Sequence, residues 1–128
     1  MNTMILFYSV SDMATKMAML LLLWLMLFPA AIHAKGLKEG MHFLTARKLL
    51  FNSAWRPINV HEAYNYAYIG IENQLVEAHI NEVESCAIDK PVCLFNYKKG
   101  HQCLQVFTFG EEIKDMHVYR WTYGCSDK

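Results

Sequence analysis

The first sustained pattern in the chain is an unbroken apolar run, Met17 to Phe28, with Lys16 before it and Pro29 and then Ala30 to Ala34 after it. From Leu37 onward the apolar residues fall at helical spacing. Phe43, Ala46, Leu49 and Leu50 share one side while Arg47 and Lys48 point elsewhere, which predicts an amphipathic helix over roughly His42 to Ser53. Gly40 marks its entry. Its exit is Trp55-Arg56-Pro57, where the proline biases Arg56 away from helical angles and opens an extended segment, Arg56 to Val60. Between Glu62 and Asn81 the pattern is mixed. Ala63, Tyr64, Ala67 and Tyr68 have helical spacing, Gly70 interrupts, and Gln74 to Ile80 has room for another helical turn, so this stretch reads as a helical or irregular excursion.

Beyond Val83 the pattern becomes that of strands. Val92 to Tyr97 and Gln102 to Phe109 flank Lys98-Lys99-Gly100-His101, a hairpin loop with a glycine. Gly110 to Asp115 is polar and turn-like, and His117 to Tyr123 carries the β-branched and aromatic residues that suit a pleated surface. The expected fold class is α+β: an N-terminal helix packed on an antiparallel meander of about four strands. Phe95, Tyr97, Phe107, Phe109, Tyr119, Trp121 and Tyr123 alternate along those strands, and one such stripe is expected to pack on Phe43, Ala46 and Leu50. Tyr64, Tyr66 and Tyr68 alternate through the excursion, where nothing obliges all three to be buried. They are the candidate interaction surface.

The apolar run spans about 12 residues against the ~20 needed to cross a bilayer. With a charge before it and Ile32-His33-Ala34 after it, the segment reads as a secretory signal peptide, residues 1–34, leaving one small exported domain over 35–128. That organisation places the protein in the periplasm or outside the cell, with no permanent membrane anchor after cleavage. The run also inflates the hydrophobic fraction of 54%, yet aromatic residues stay frequent after it, which argues for a packed domain. Acidic and basic residues number 12 each and remain balanced after residue 34, so there is no field to hold a nucleic acid backbone.

All four cysteines, Cys86, Cys93, Cys103 and Cys125, lie in the C-terminal third, and an even count in an exported chain implies two disulfides. Residues facing each other in a hairpin have numbers that sum to a constant. Cys103 with Cys125 centres a hairpin on residue 114, inside the predicted turn, and Cys86 with Cys93 centres one on Asp89-Lys90-Pro91. Cys93 with Cys103 centres ahead of the glycine and needs an offset contact. The first two pairings are therefore favoured over the other connectivities.

Leu37-Lys38-Glu39-Gly40-Met41, Ala46-Arg47-Lys48-Leu49-Leu50, Ala54-Trp55-Arg56-Pro57, Glu84-Ser85-Cys86, Cys93-Leu94-Phe95 and Thr108-Phe109-Gly110-Glu111 occur in that order. The order resembles a group of small uncharacterised exported bacterial proteins, over Leu37 to Trp121. This chain has Ala54 where the group usually has glycine. The resemblance implies export and fold and carries no activity. A more distant architectural likeness is to SmpA/OmlA-type envelope proteins and to the repeats of β-lactamase inhibitor protein.

Catalytic chemistry is sparse. His42, His61, His79, His101 and His117 show neither the i, i+4 spacing of a zinc helix nor the clustered spacing of a structural site, although His61-Glu62 and His79 could converge in space. Cys86 and Cys93 do not form a CxxC redox motif. Glu111, His117 and Arg120 evoke a ribonuclease-like set, but three positions apart on a regular strand His117 and Arg120 face opposite sides. Ser53, Ser85 and Ser126 sit in no nucleophile elbow. The expectation is a non-catalytic envelope protein with no cofactor and no metal, acting as a binding, accessory or inhibitor module on an extracytoplasmic protein. A small secreted hydrolase, nuclease or cell-wall enzyme, and a structural envelope component without a ligand, are the alternatives.

Overall fold

The computed structural model describes Met13, residues 15–20 and residues 34–126. Contacts divide the chain into two units, residues 1–31 and 32–128, and in the first Met13 and residues 15–20 are helical. Most of the signal peptide expected over residues 1–34 thus lies outside the described residues. Ala34 itself is buried, donates its N–H to the Tyr123 hydroxyl at 2.7 Å and accepts from the Leu37 N–H at 3.1 Å. Among the described residues no helix is long and apolar enough to cross a membrane.

Helix α1, Phe43–Asn52, starts where His42 adopts extended angles and caps it: Nδ1 accepts from the Leu44 N–H while Nε2 donates to the Lys114 carbonyl. The cap therefore also ties the helix to the loop that follows the sheet's fourth strand. Phe43, Ala46 and Leu50 form its buried face, as their spacing predicts. At the other end Ala54 N–H bonds to the Phe51 carbonyl and Trp55 N–H to Leu50, with Ala54 at φ 66°. This is a Schellman stop, and it delivers Trp55 into the core beside Leu50. Helix α2, Ile71–Glu77, ends in the same way: His79 takes φ 59°, its N–H bonds to Val76, the Ile80 N–H bonds to Leu75, and Ile80 is buried. Glycine is the usual residue at both left-handed positions.

The strands are β1 (Arg56–Pro57), β2 (Val83–Cys86), β3 (Val92–Lys99), β4 (Gln102–Phe109) and β5 (His117–Tyr123). Strands β2 to β5 form the expected antiparallel meander. The fifth strand is β1, which pairs with Tyr97 and Lys98 on the edge of β3 that β2 occupies further along. The extended segment predicted to Val60 stops at Pro57, because beyond it only Ile58 bonds to β3, through the Asn96 carbonyl. The β3–β4 turn is tighter than predicted: Lys99 pairs with Gln102, leaving Gly100 and His101 as a two-residue loop with Gly100 at φ 58°.

Register divides the aromatic stripe between two faces. Phe95, Tyr97, Leu104, Val106 and Val118 are fully buried beneath α1, where Phe43 stacks on Phe95 with ring centroids 4.1 Å apart. Phe107 and Phe109 belong to the opposite face. A bulge at Tyr119 shifts β5 by one residue, so that Phe109 faces His117 and Phe107 faces Arg120. His117 and Arg120 therefore share a face, contrary to the expectation from regular alternation.

Both favoured disulfides form. Cys86 and Cys93 are direct cross-strand partners, Cα atoms 4.1 Å apart. Cys103 instead faces Gly124, and the bridge to Cys125 reaches one residue further, with Cα atoms 4.8 Å apart. In the chain-entropy picture, the shorter loop is worth about 2.5 kcal/mol and the longer about 3.4 kcal/mol.

One ion pair lies beneath α1. The Glu82 carboxylate is 1% exposed and is met by the Arg47 guanidinium and by the Tyr97 hydroxyl, which donates at 3.0 Å. Arg47 also donates to the His79 carbonyl, the end of the α2 stop, at 3.1 Å. Burial opposes the Arg47 charge, but the hydrogen bond and attraction of Glu82 outweigh it and hold the guanidinium above its ordinary pKa. Burial, then the charge and hydrogen bond of Glu82, push the Tyr97 phenol well above its usual value.

Two outcomes are expected. Ala54→Gly relieves the left-handed alanine and raises stability by about 0.5–1 kcal/mol, read as a higher urea midpoint at unchanged m value. Because the folded protein holds the Tyr97 proton more tightly than the unfolded chain, that contribution is complete below pH ~10 and is lost as pH rises above it. Wild-type stability should then fall about 1.4 kcal/mol per pH unit more steeply than that of Tyr97→Phe, measured by urea titrations from neutral to alkaline pH.

Candidate functional site

The start of the excursion between β1 and α2 lies on the face of the sheet opposite α1. Ile58 and Val60 line, with Asn96, Ser126 and the Cys103–Cys125 bridge, a cleft of about 210 Å³. Asn59 then turns the chain, its side-chain oxygen accepting from the His61 N–H at 2.9 Å. This places His61, 6% exposed, with Nε2 2.6 Å from the Glu84 carbonyl oxygen. A carbonyl only accepts, so that nitrogen carries the proton.

Three tyrosines gather around this imidazole. The Tyr66 ring stacks on it at 3.7 Å between centroids and within 10° of parallel. Tyr68 stands edge-on to both, 5.6 Å from His61 and 5.0 Å from Tyr66. Tyr64, 66% exposed, forms with Val60, His61 and Tyr66 a second cleft of about 320 Å³. Of the candidate surface, the structure joins Tyr66 and Tyr68 in one cluster and leaves Tyr64 at its rim.

Two buried glutamates hold the cluster in place. Glu72, 2% exposed in the first turn of α2, accepts the Tyr66 hydroxyl at 3.2 Å, the Ile69 N–H at 3.2 Å and the Cys86 N–H at 2.7 Å. The last bond satisfies a donor on the outer edge of β2, so one carboxylate fastens both the tyrosine and the strand edge. Glu84, at the irregularity between Val83 and Ser85, accepts from Asn96 at 2.8 Å and Ser126 at 3.2 Å. Burial, followed by the charge of Glu72, holds the phenols of Tyr66 and Tyr68 above their ordinary pKa.

Other candidate groups are dispersed. His42 caps α1, and His79 sits at the stop of α2 with its carbonyl on Arg47, so it does not join His61 in a ligand set. Among the described residues no group of three or more ligating side chains is disposed to hold a metal. His117 and Arg120 share a face, but the guanidinium lies 3.9 Å over the Phe107 ring and His117 lies against Phe109. Glu111 lines a third cleft, of about 250 Å³, at the Cys86–Cys93 hairpin. Ser53 closes α1, Ser85 is exposed on β2 and Ser126 donates to Glu84.

Sequence reasoning gave no site role to Glu72 or Glu84 and no stacking role to His61. An acid in the first turn of a short helix was a visible signal for Glu72. Comparison of the chain with protein-family models, with curated proteins and with solved structures gave no match in any of the three.

Glu72→Gln turns an all-accepting carboxylate into a group with one acceptor oxygen facing three donors. It should cost about 2 kcal/mol in urea unfolding and speed hydrogen exchange at the Ile69 and Cys86 amides, with amides of α1 unchanged relative to global stability.

Proposed function

We propose that the folded domain is a non-catalytic module exported to the periplasm or beyond after loss of its signal peptide, and that it binds an extracytoplasmic protein through the cleft of Val60, His61, Tyr64 and Tyr66. The observation that carries this reading is how the polar atoms of the cleft are used. His61 Nε2 is committed to a backbone carbonyl and the Tyr66 hydroxyl to Glu72, so what these two side chains offer a visitor is chiefly ring surface. Rigid aromatic groups with a tethered polar end supply contact area at small entropic cost. The two disulfides fit an oxidising compartment and support the exported reading.

A photo-reactive amino acid at position 64, on the rim, and another at position 119, 56% exposed on β5, test the assignment in cells that export the protein. The expected result is a discrete protein adduct from position 64, absent from position 119 and lost when Tyr66→Ala is added. Equal adducts from both positions, or none from 64, would favour an envelope component without a defined ligand.

A further inference from the structure

Resting on that reading, we propose that what the partner inserts into the cleft is a basic side chain, best an arginine, held over the tyrosine rings. The cleft is lined by Val60, His61, Tyr64 and Tyr66, three of them aromatic and none of them a lysine or an arginine. A guanidinium or ammonium group is attracted to aromatic faces, and the planar guanidinium also stacks on them. At about 320 Å³ the space is at the small end of ligand sites and suits a single side chain.

The field behind the rings has the matching sign. The Glu72 carboxylate is buried at the hydroxyl end of Tyr66, and the donors it accepts from are neutral: two backbone amides and a phenol. Those donors satisfy its oxygens and bring no countercharge. Its influence reaches the Tyr66 and Tyr68 phenols, and the charge of Glu84 reaches Tyr66 as well. Glu62, exposed on the turn between His61 and Tyr64, adds a carboxylate at the surface. A phenol donating to a carboxylate also has a more electron-rich ring, which strengthens its attraction for a cation.

The test is a titration of the full-length exported domain, followed by the ring resonances of Tyr64 and Tyr66, with two capped tripeptides: glycine-arginine-glycine and glycine-citrulline-glycine. Citrulline keeps the shape and loses the charge. The expected result is perturbation of both rings by the arginine peptide, binding at least about threefold tighter than the citrulline peptide, with the gap narrowing as salt is raised. Tyr64→Leu keeps an apolar rim and removes the ring, so it should weaken arginine binding about two- to fivefold and leave the citrulline peptide unaffected. Equal affinities, or no perturbation by the arginine peptide, would overturn the cation assignment. The binding reading itself is decided separately, by the adduct at position 64.

Discussion

Burial of the Glu82 carboxylate under α1 is the constraint around which the described domain is arranged. A lone charge there would cost several kcal/mol, so its partners must arrive together from separate parts of the chain. Arg47 comes from the helix, Tyr97 from the middle of the sheet, and the Arg47 guanidinium continues to the carbonyl that ends α2. The Glu82 backbone carbonyl meanwhile accepts from the Asn96 N–H on β3. One charged cluster therefore sets the position of α1, of the α2 stop and of β3 relative to each other. Apolar packing such as the Phe43–Phe95 stack supplies the bulk of the favourable burial but would tolerate more than one orientation.

The helix stops complete this frame. A Schellman end reverses the chain sharply and places the next residue against the helix it has just left, which is how Trp55 and Ile80 enter the core. Both do so through residues other than glycine, at some cost in backbone strain. The two bridges then act on opposite faces of the sheet: Cys93 lies on the α1 side, and Cys103 lies on the face where Ile58 and Val60 pack. In a domain with a modest core, such links limit the unfolded ensemble where the apolar area alone leaves little margin.

At Glu72 the same problem of a buried acid is met by neutral donors rather than by a cation. Two backbone amides, one of them on the edge of β2, and a phenol satisfy the carboxylate, and its charge acts on the Tyr66 and Tyr68 phenols of the aromatic cluster. Orientation of the rings and the sign of the field thus have a common cause.

Much of the architecture is legible in local pattern. Helical spacing of Phe43, Ala46 and Leu50 locates α1, alternation locates β4 and β5 over Gln102–Phe109 and His117–Tyr123, and the sum rule for hairpins pairs the cysteines, because each of these signals is written over a few neighbouring residues. The bulge at Tyr119 is not so written, and by shifting one strand it reverses the side on which Arg120 appears. The site depends still more on distant partners: Glu72 meets the edge of β2, His61 meets Glu84, and the tyrosines acquire their arrangement only through those bonds. Periodicity tells which face a side chain takes within its own element. Which buried acid it will meet from another element is decided by the tertiary fold, since a charge out of water accepts whatever donors packing brings within reach.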